Sequence, residues 1–137
     1  MATWNETIHK FSSVTDKLGK EIDRGIFETV VALNLLGVST IASCEGHLNW
    51  GVPYPWIDIE ATIEQKYLLH QYLARFYEGR QANFDSILMF HGYRMRSAGG
   101  AFSPLLSPEE QEQKLKEYQA EMTEFTAFMK SLLPDCD

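Results

Sequence analysis

Cys44, Glu45 and His47 place a thiol, a carboxylate and an imidazole within four residues, with Gly46 between the last two to let the backbone fold back. A thiol acts as nucleophile or ligand only as thiolate, and an imidazole three positions on in a tight turn can stabilise that form. Cys44, His47 and Glu45 are therefore the catalytic candidates. The same atoms also suit a metal, since Cys-x-x-His offers two ligands at a spacing zinc accepts. A complete site needs at least one more ligand. His91 is the first candidate, with Asp58, Glu60 or Cys136 as others, and zinc is the candidate cofactor. The plainer alternative is a small buried hydrophobe beside a surface histidine.

Two further groups could hold a substrate. Asp58 and Glu60 alternate with Trp56 on one pleat face, where paired carboxylates bind cations or divide acid and base roles. Arg94 and Arg96 alternate along another strand, and two arginines on one face can grip a phosphate or carboxylate. Asp58, Arg94, Arg96 and Trp56 are thus the substrate-binding candidates, for a small anionic ligand. The alternatives are a solvated sheet face for the acids and charge balance across the sheet for the arginines. Trp50, Tyr54 and Trp56 could wall a planar ligand or simply cover a sheet edge.

The elements that must position these residues follow from periodicity and caps. Thr3 with Glu6 opens a first helix carrying Trp4, Ile8, Phe11 and Leu18, stopped at Gly19. A second helix spans about Glu21 to Leu36, with Ile22, Ile26, Val30 and Leu33 on its stripe and Gly37 ending it. Val38 to Ser43 reads as a short strand that runs into the Cys44–His47 turn. Two prolines and a glycine make 49–55 a loop. Trp56 to Ala61 alternates, with Ile57, Ile59 and Ala61 facing one way.

Thr62 and Gln65 cap a third helix whose inner face is Leu69, Tyr72, Leu73 and Phe76, closed by Gly79. Ile87 to Phe90 and Met95 to Ser97 are two more strands about a turn at His91 to Arg94, and Gly99-Gly100 loosens the chain after them. Ser107, Pro108 and Glu110 start the last helix. Leu115, Tyr118, Met122, Phe125, Met129 and Leu132 form its seam, which serves either a partner or the sheet. The order α-α-β-β-α-β-β-α specifies an α+β fold, a mostly antiparallel sheet of about four strands packed against helices.

Composition bounds the function. The 137 residues fit a single domain over 1–137, large enough to hold a core without a disulfide or structural metal. A net charge of −7 disfavours nucleic acid and anionic membranes as partners. The charge is uneven, with five basic and two acidic residues between Lys66 and Arg96. No apolar run approaches the ~18 residues of a spanning helix, and the N-terminus lacks a signal-peptide layout, so a cytoplasmic location is expected. Two cysteines exclude a four-thiolate zinc site, and a cytosol keeps both reduced. Oligomeric state is open, with a homodimer as one option.

The run Gly37-Val38-Ser39-Thr40-Ile41-Ala42-Ser43-Cys44-Glu45-Gly46-His47, followed by Pro53-Tyr54-Pro55-Trp56-Ile57-Asp58-Ile59, resembles a group of small uncharacterised bacterial proteins. These share a helix, then Gly-(Ile or Val)-x-Thr-x-x-Ser-Cys-Glu-Gly-His, then a proline-containing strand. The resemblance covers about residues 30 to 60 and implies a recurring local structure, with no activity to transfer. A remoter similarity is to the wybutosine-synthesis tRNA methyltransferase family, which has a Ser-Ser-Cys-Ser-Gly-Arg turn at a strand end. Glu45 and His47 stand where that family has serine and arginine, which removes a phosphate or RNA contact. The resemblance therefore does not carry the tRNA activity over. The expectation is a small-ligand or metal pocket at this turn, with Cys/His-dependent hydrolytic or transfer chemistry on an anionic substrate. The alternative is a non-catalytic binding module in which the turn is structural.

Overall fold

The computed structural model describes residues 3–12, 22–60 and 62–133. Among the described residues, four α-helices and four strands follow the expected order: α1 (Trp4–Phe11), α2 (Phe27–Leu35), β1 (Thr40–Cys44), β2 (Trp56–Ile59), α3 (Ile63–Tyr77), β3 (Leu88–His91), β4 (Arg94–Ser97) and α4 (Pro108–Ser131). The fold is α+β. Its sheet has the order β1-β2-β4-β3 and every neighbouring pair is antiparallel. Among the described residues no helix is long and apolar enough to cross a membrane.

The core lies between one face of the sheet and the helices. Ile57, Ile59 and Met95 are fully buried on that face, against Ile26, Val30, Val31 and Leu33 of the α2 region and Met122, Phe125 and Met129 of α4. The α4 seam is therefore spent on the core, from Leu115 to Met129. Its start is a full capping box, with Ser107 accepting from the Glu110 N–H and the Glu110 carboxylate accepting from the Ser107 N–H. Burying a Met or Phe side chain contributes about 1.5–3 kcal/mol, so this single stripe is a large part of the fold's stability.

Several boundaries differ from the sequence reading, and each difference has a cause. The second helix starts later, with a 3-10 turn at Arg24–Ile26 before α2. Asp23 stays extended (φ −57°, ψ 137°), because its carboxylate is held by groups of the Cys44–His47 turn. Leu18, Gly19, Glu21, Ala61 and Cys136, which the sequence reading used, lie outside the described residues. The first strand starts two residues late, because the Val38 N–H closes α2 on the Leu33 carbonyl and the Ser39 N–H is taken by Gln65 Oε1. Gly99 and Gly100 do not loosen the chain. Both are buried in a 3-10 segment (Ala98–Leu105), where a Cβ would overlap Asp85 and the Tyr118 hydroxyl, or the Tyr54 ring.

Candidate functional site

β1 delivers Cys44 as its last residue, and the chain then turns through Glu45, Gly46 and His47. Gly46 has φ +94°, and a Cβ there would sit 2.6 Å from Leu115 Cδ1 and 2.9 Å from the Tyr54 carbonyl carbon. Only glycine meets both the backbone sign and the space. The turn is held on three sides. The His47 N–H donates to the Val52 carbonyl (2.9 Å), Gln119 Nε2 of α4 donates to the Glu45 carbonyl (2.9 Å), and the Glu45 N–H donates to Asp23 Oδ2 (3.0 Å).

Asp23 is the residue that the sequence reading missed. The same Oδ2 that accepts from Glu45 lies 3.2 Å from His47 Nε2. One ligand atom each from Asp23, Cys44 and His47 lies within 4.8 Å of the others. An oxygen, a sulfur and a nitrogen donor thus converge from two distant segments. The Cys44 residue is 5% exposed, while the side chains of His47 and Asp23 are 21% and 23% exposed. The sulfur is thus the most deeply buried of the three donors. Trp50 stacks on the His47 ring at 3.8 Å between centroids and 19° between planes, which fixes the imidazole's orientation.

The surroundings of the thiol disfavour its ionised form. Burial pushes the Cys44 thiol up from its ordinary range, and the Asp23 and Glu45 carboxylates raise it further. The Gly46 N–H, 3.4 Å from the sulfur, only partly offsets this. The protein's own groups therefore keep Cys44 protonated at neutral pH, the reverse of what a free nucleophile needs. Asp23 meets the imidazole, but no hydrogen bond among the described residues joins the Cys44 sulfur to His47, the link a nucleophilic triad requires. A divalent cation in this cluster would reverse the balance, because a coordinating thiol is deprotonated outright.

The other sequence candidates separate into two groups. Asp58 is not part of a solvated face. It is 8% exposed and takes both arms of Arg94, Nε to Oδ1 at 2.6 Å and NH2 to Oδ2 at 3.0 Å. Arg94 also lies over the Trp56 ring, 3.9 Å from its centroid. This pair is charge balance across β2 and β4, and it engages Arg94. His91 ends β3 opposite Arg94, at the end of the sheet away from Cys44, and is exposed. It takes no part in the cluster, and Asp23 stands in the place proposed for it. Glu60 is exposed beyond the end of β2. Arg96 pairs with Trp56, and Trp56 with Cys44, so the three form one row across β4, β2 and β1.

Compared with family models, with curated proteins and with solved structures, the chain matches none. The reading of the site therefore rests on its own geometry.

Proposed function

We propose that Asp23, Cys44 and His47 bind one divalent transition-metal ion, zinc foremost, and that the site so formed carries out hydrolytic or transfer chemistry on a small anionic substrate. The observation that carries this reading is the convergence of three different donor atoms within 4.8 Å. Thiolate and imidazole ligands select zinc and its neighbours over magnesium and calcium, which prefer all-oxygen shells. Three protein ligands are the number found where zinc is catalytic, since the fourth position stays open to water or substrate. Such an ion would supply a Lewis acid and an activated water at neutral pH. The chain supplies the rest. Asp23 and the His47–Trp50 stack fix the ligand directions, and the Gly46 turn places sulfur and imidazole on one side. A reducing compartment, the cytoplasm in this reading, keeps Cys44 available as a ligand.

A second reading is favoured by the depth of Cys44 and its raised pKa. In it the cluster is a structural clasp, with Asp23 tying the chain before α2 to the β1 turn and function lying in association with a partner. Metal titration separates the two. Equilibrium dialysis against zinc is expected to give one ion per chain in the wild type. Asp23→Ala, Cys44→Ser and His47→Ala each lower the affinity by tenfold or more, and His91→Ala leaves it unchanged. A wild type that retains no zinc at micromolar free ion removes the metal reading and leaves the clasp.

A further inference from the structure

Resting on that metal reading, we propose that Arg96 anchors an oxyanionic group of the substrate, and that the substrate is a small molecule with a carboxylate or phosphate at one end and the reacting group at the other. The argument starts from the topology. The C-terminal end of β1, the N-terminal end of β2 and the C-terminal end of β4 lie at the same end of the sheet, because all three strands are antiparallel neighbours. Cys44, Trp56 and Arg96 are matched in register there. Strand spacing puts the backbones of Cys44 and Arg96 about 10 Å apart.

The hydrogen bonds of Arg96 turn it toward the metal cluster's end of the sheet. Its NH1 donates to the carbonyls of Ser97 (2.9 Å) and Ala98 (3.3 Å), the residues that follow it out of β4. Tyr54 lies at this end, with its backbone against Gly46 and its ring against Gly100.

Its electrostatics set Arg96 apart from the other partly buried arginines among the described residues. Arg94 and Arg80 each meet a carboxylate, Asp58 and Glu121 respectively. Among the described residues Arg96 forms no ion pair, and its Nε and NH2 have no hydrogen-bond acceptor. A guanidinium half removed from water, pinned by two carbonyls through one nitrogen and uncommitted at the other two, is prearranged for a bidentate oxyanion. Asp58 already fills the equivalent fork of Arg94, which leaves Arg96 as the anchor.

Calorimetry of the zinc-loaded chain with acetate, inorganic phosphate and the dicarboxylates from malonate to adipate tests this. One dicarboxylate is expected to bind at least tenfold more tightly than acetate, its length reporting the span from ion to guanidinium. Phosphate against acetate shows which head group Arg96 prefers. Arg96→Met reduces the best dicarboxylate to the level of acetate while zinc stoichiometry stays at one. Arg96→Lys, which keeps the charge and loses the fork, gives an intermediate loss, and Arg75→Met, on the exposed side of α3, changes nothing. Equal binding by wild type and both Arg96 variants overturns the proposal. Should zinc fail to load, the metal reading falls on its own. Phosphate binding to the metal-free chain, present in the wild type and lost in Arg96→Met, would then sustain the anchor, and its absence would sink it.

Discussion

At Gly46 the backbone adopts φ +94° in a space where a Cβ would meet Leu115 and the Tyr54 backbone. Gly46→Ala combines the conformational penalty with overpacking and is expected to cost about 2–3 kcal/mol in denaturant unfolding. Gly25→Ala is a useful contrast. Its closest approach would be to the Glu45 carboxylate, the mobile end of a side chain, so a smaller loss of about 1 kcal/mol is expected. Cys44 makes a pH prediction whose sign is fixed. The fold raises its pKa above the unfolded value near 9.0, so it favours the neutral thiol. That contribution is fully present below pH 9 and is lost as pH rises through the folded value. Metal-free wild type should therefore lose stability relative to Cys44→Ala as pH is raised above about 9, measured by urea unfolding at each pH. A parallel pair of curves contradicts it.

The residue scale also shows where sequence reading succeeds and fails. Cys44 and His47 are legible because one turn holds both and the chemistry is contiguous. Asp23 is not, because it reaches them from another segment and its neighbours carry helical spacing. The one warning is Gly25, which sits inside the expected helix and marks the break that leaves Asp23 extended.

Among the elements, α4 and α3 were read closely because their caps are written in the chain. Thr62 accepts from the Gln65 N–H as expected, and the Ser107–Glu110 box is complete. Ser107→Ala should cost about 1 kcal/mol by thermal unfolding. The contact between these helices was not legible, since Arg80 and Glu121 carry no pattern that pairs them. Arg80 Nε donates to Glu121 Oε2 at 3.2 Å, and NH2 meets Oε1. Arg80→Met leaves Glu121 buried without its cation. Because Arg80 is partly exposed, the expected loss is about 2 kcal/mol, below the roughly 3–5 kcal/mol of a fully buried pair. The double variant Arg80→Met with Glu121→Gln should recover part of it. A double variant no better than the single one would show that burial of the carboxylate is not the cause.

At the scale of the whole molecule, one end of the sheet collects the chemistry. The opposite end holds the exposed His91 and the paired Asp58 and Arg94. Binding of an ion that joins the segment before α2 to the β1 turn must also stabilise the native state. Zinc at a hundredfold excess over its dissociation constant should add about 2.7 kcal/mol, read as a higher unfolding midpoint that a chelator reverses. The central claim, that sulfur, nitrogen and oxygen donors from Cys44, His47 and Asp23 share one ion, is tested most directly by zinc X-ray absorption on the loaded protein. The account predicts one sulfur at about 2.3 Å with nitrogen and oxygen neighbours at about 2.0–2.2 Å, the sulfur shell vanishing in Cys44→Ser. A shell of light atoms alone in the wild type would contradict it.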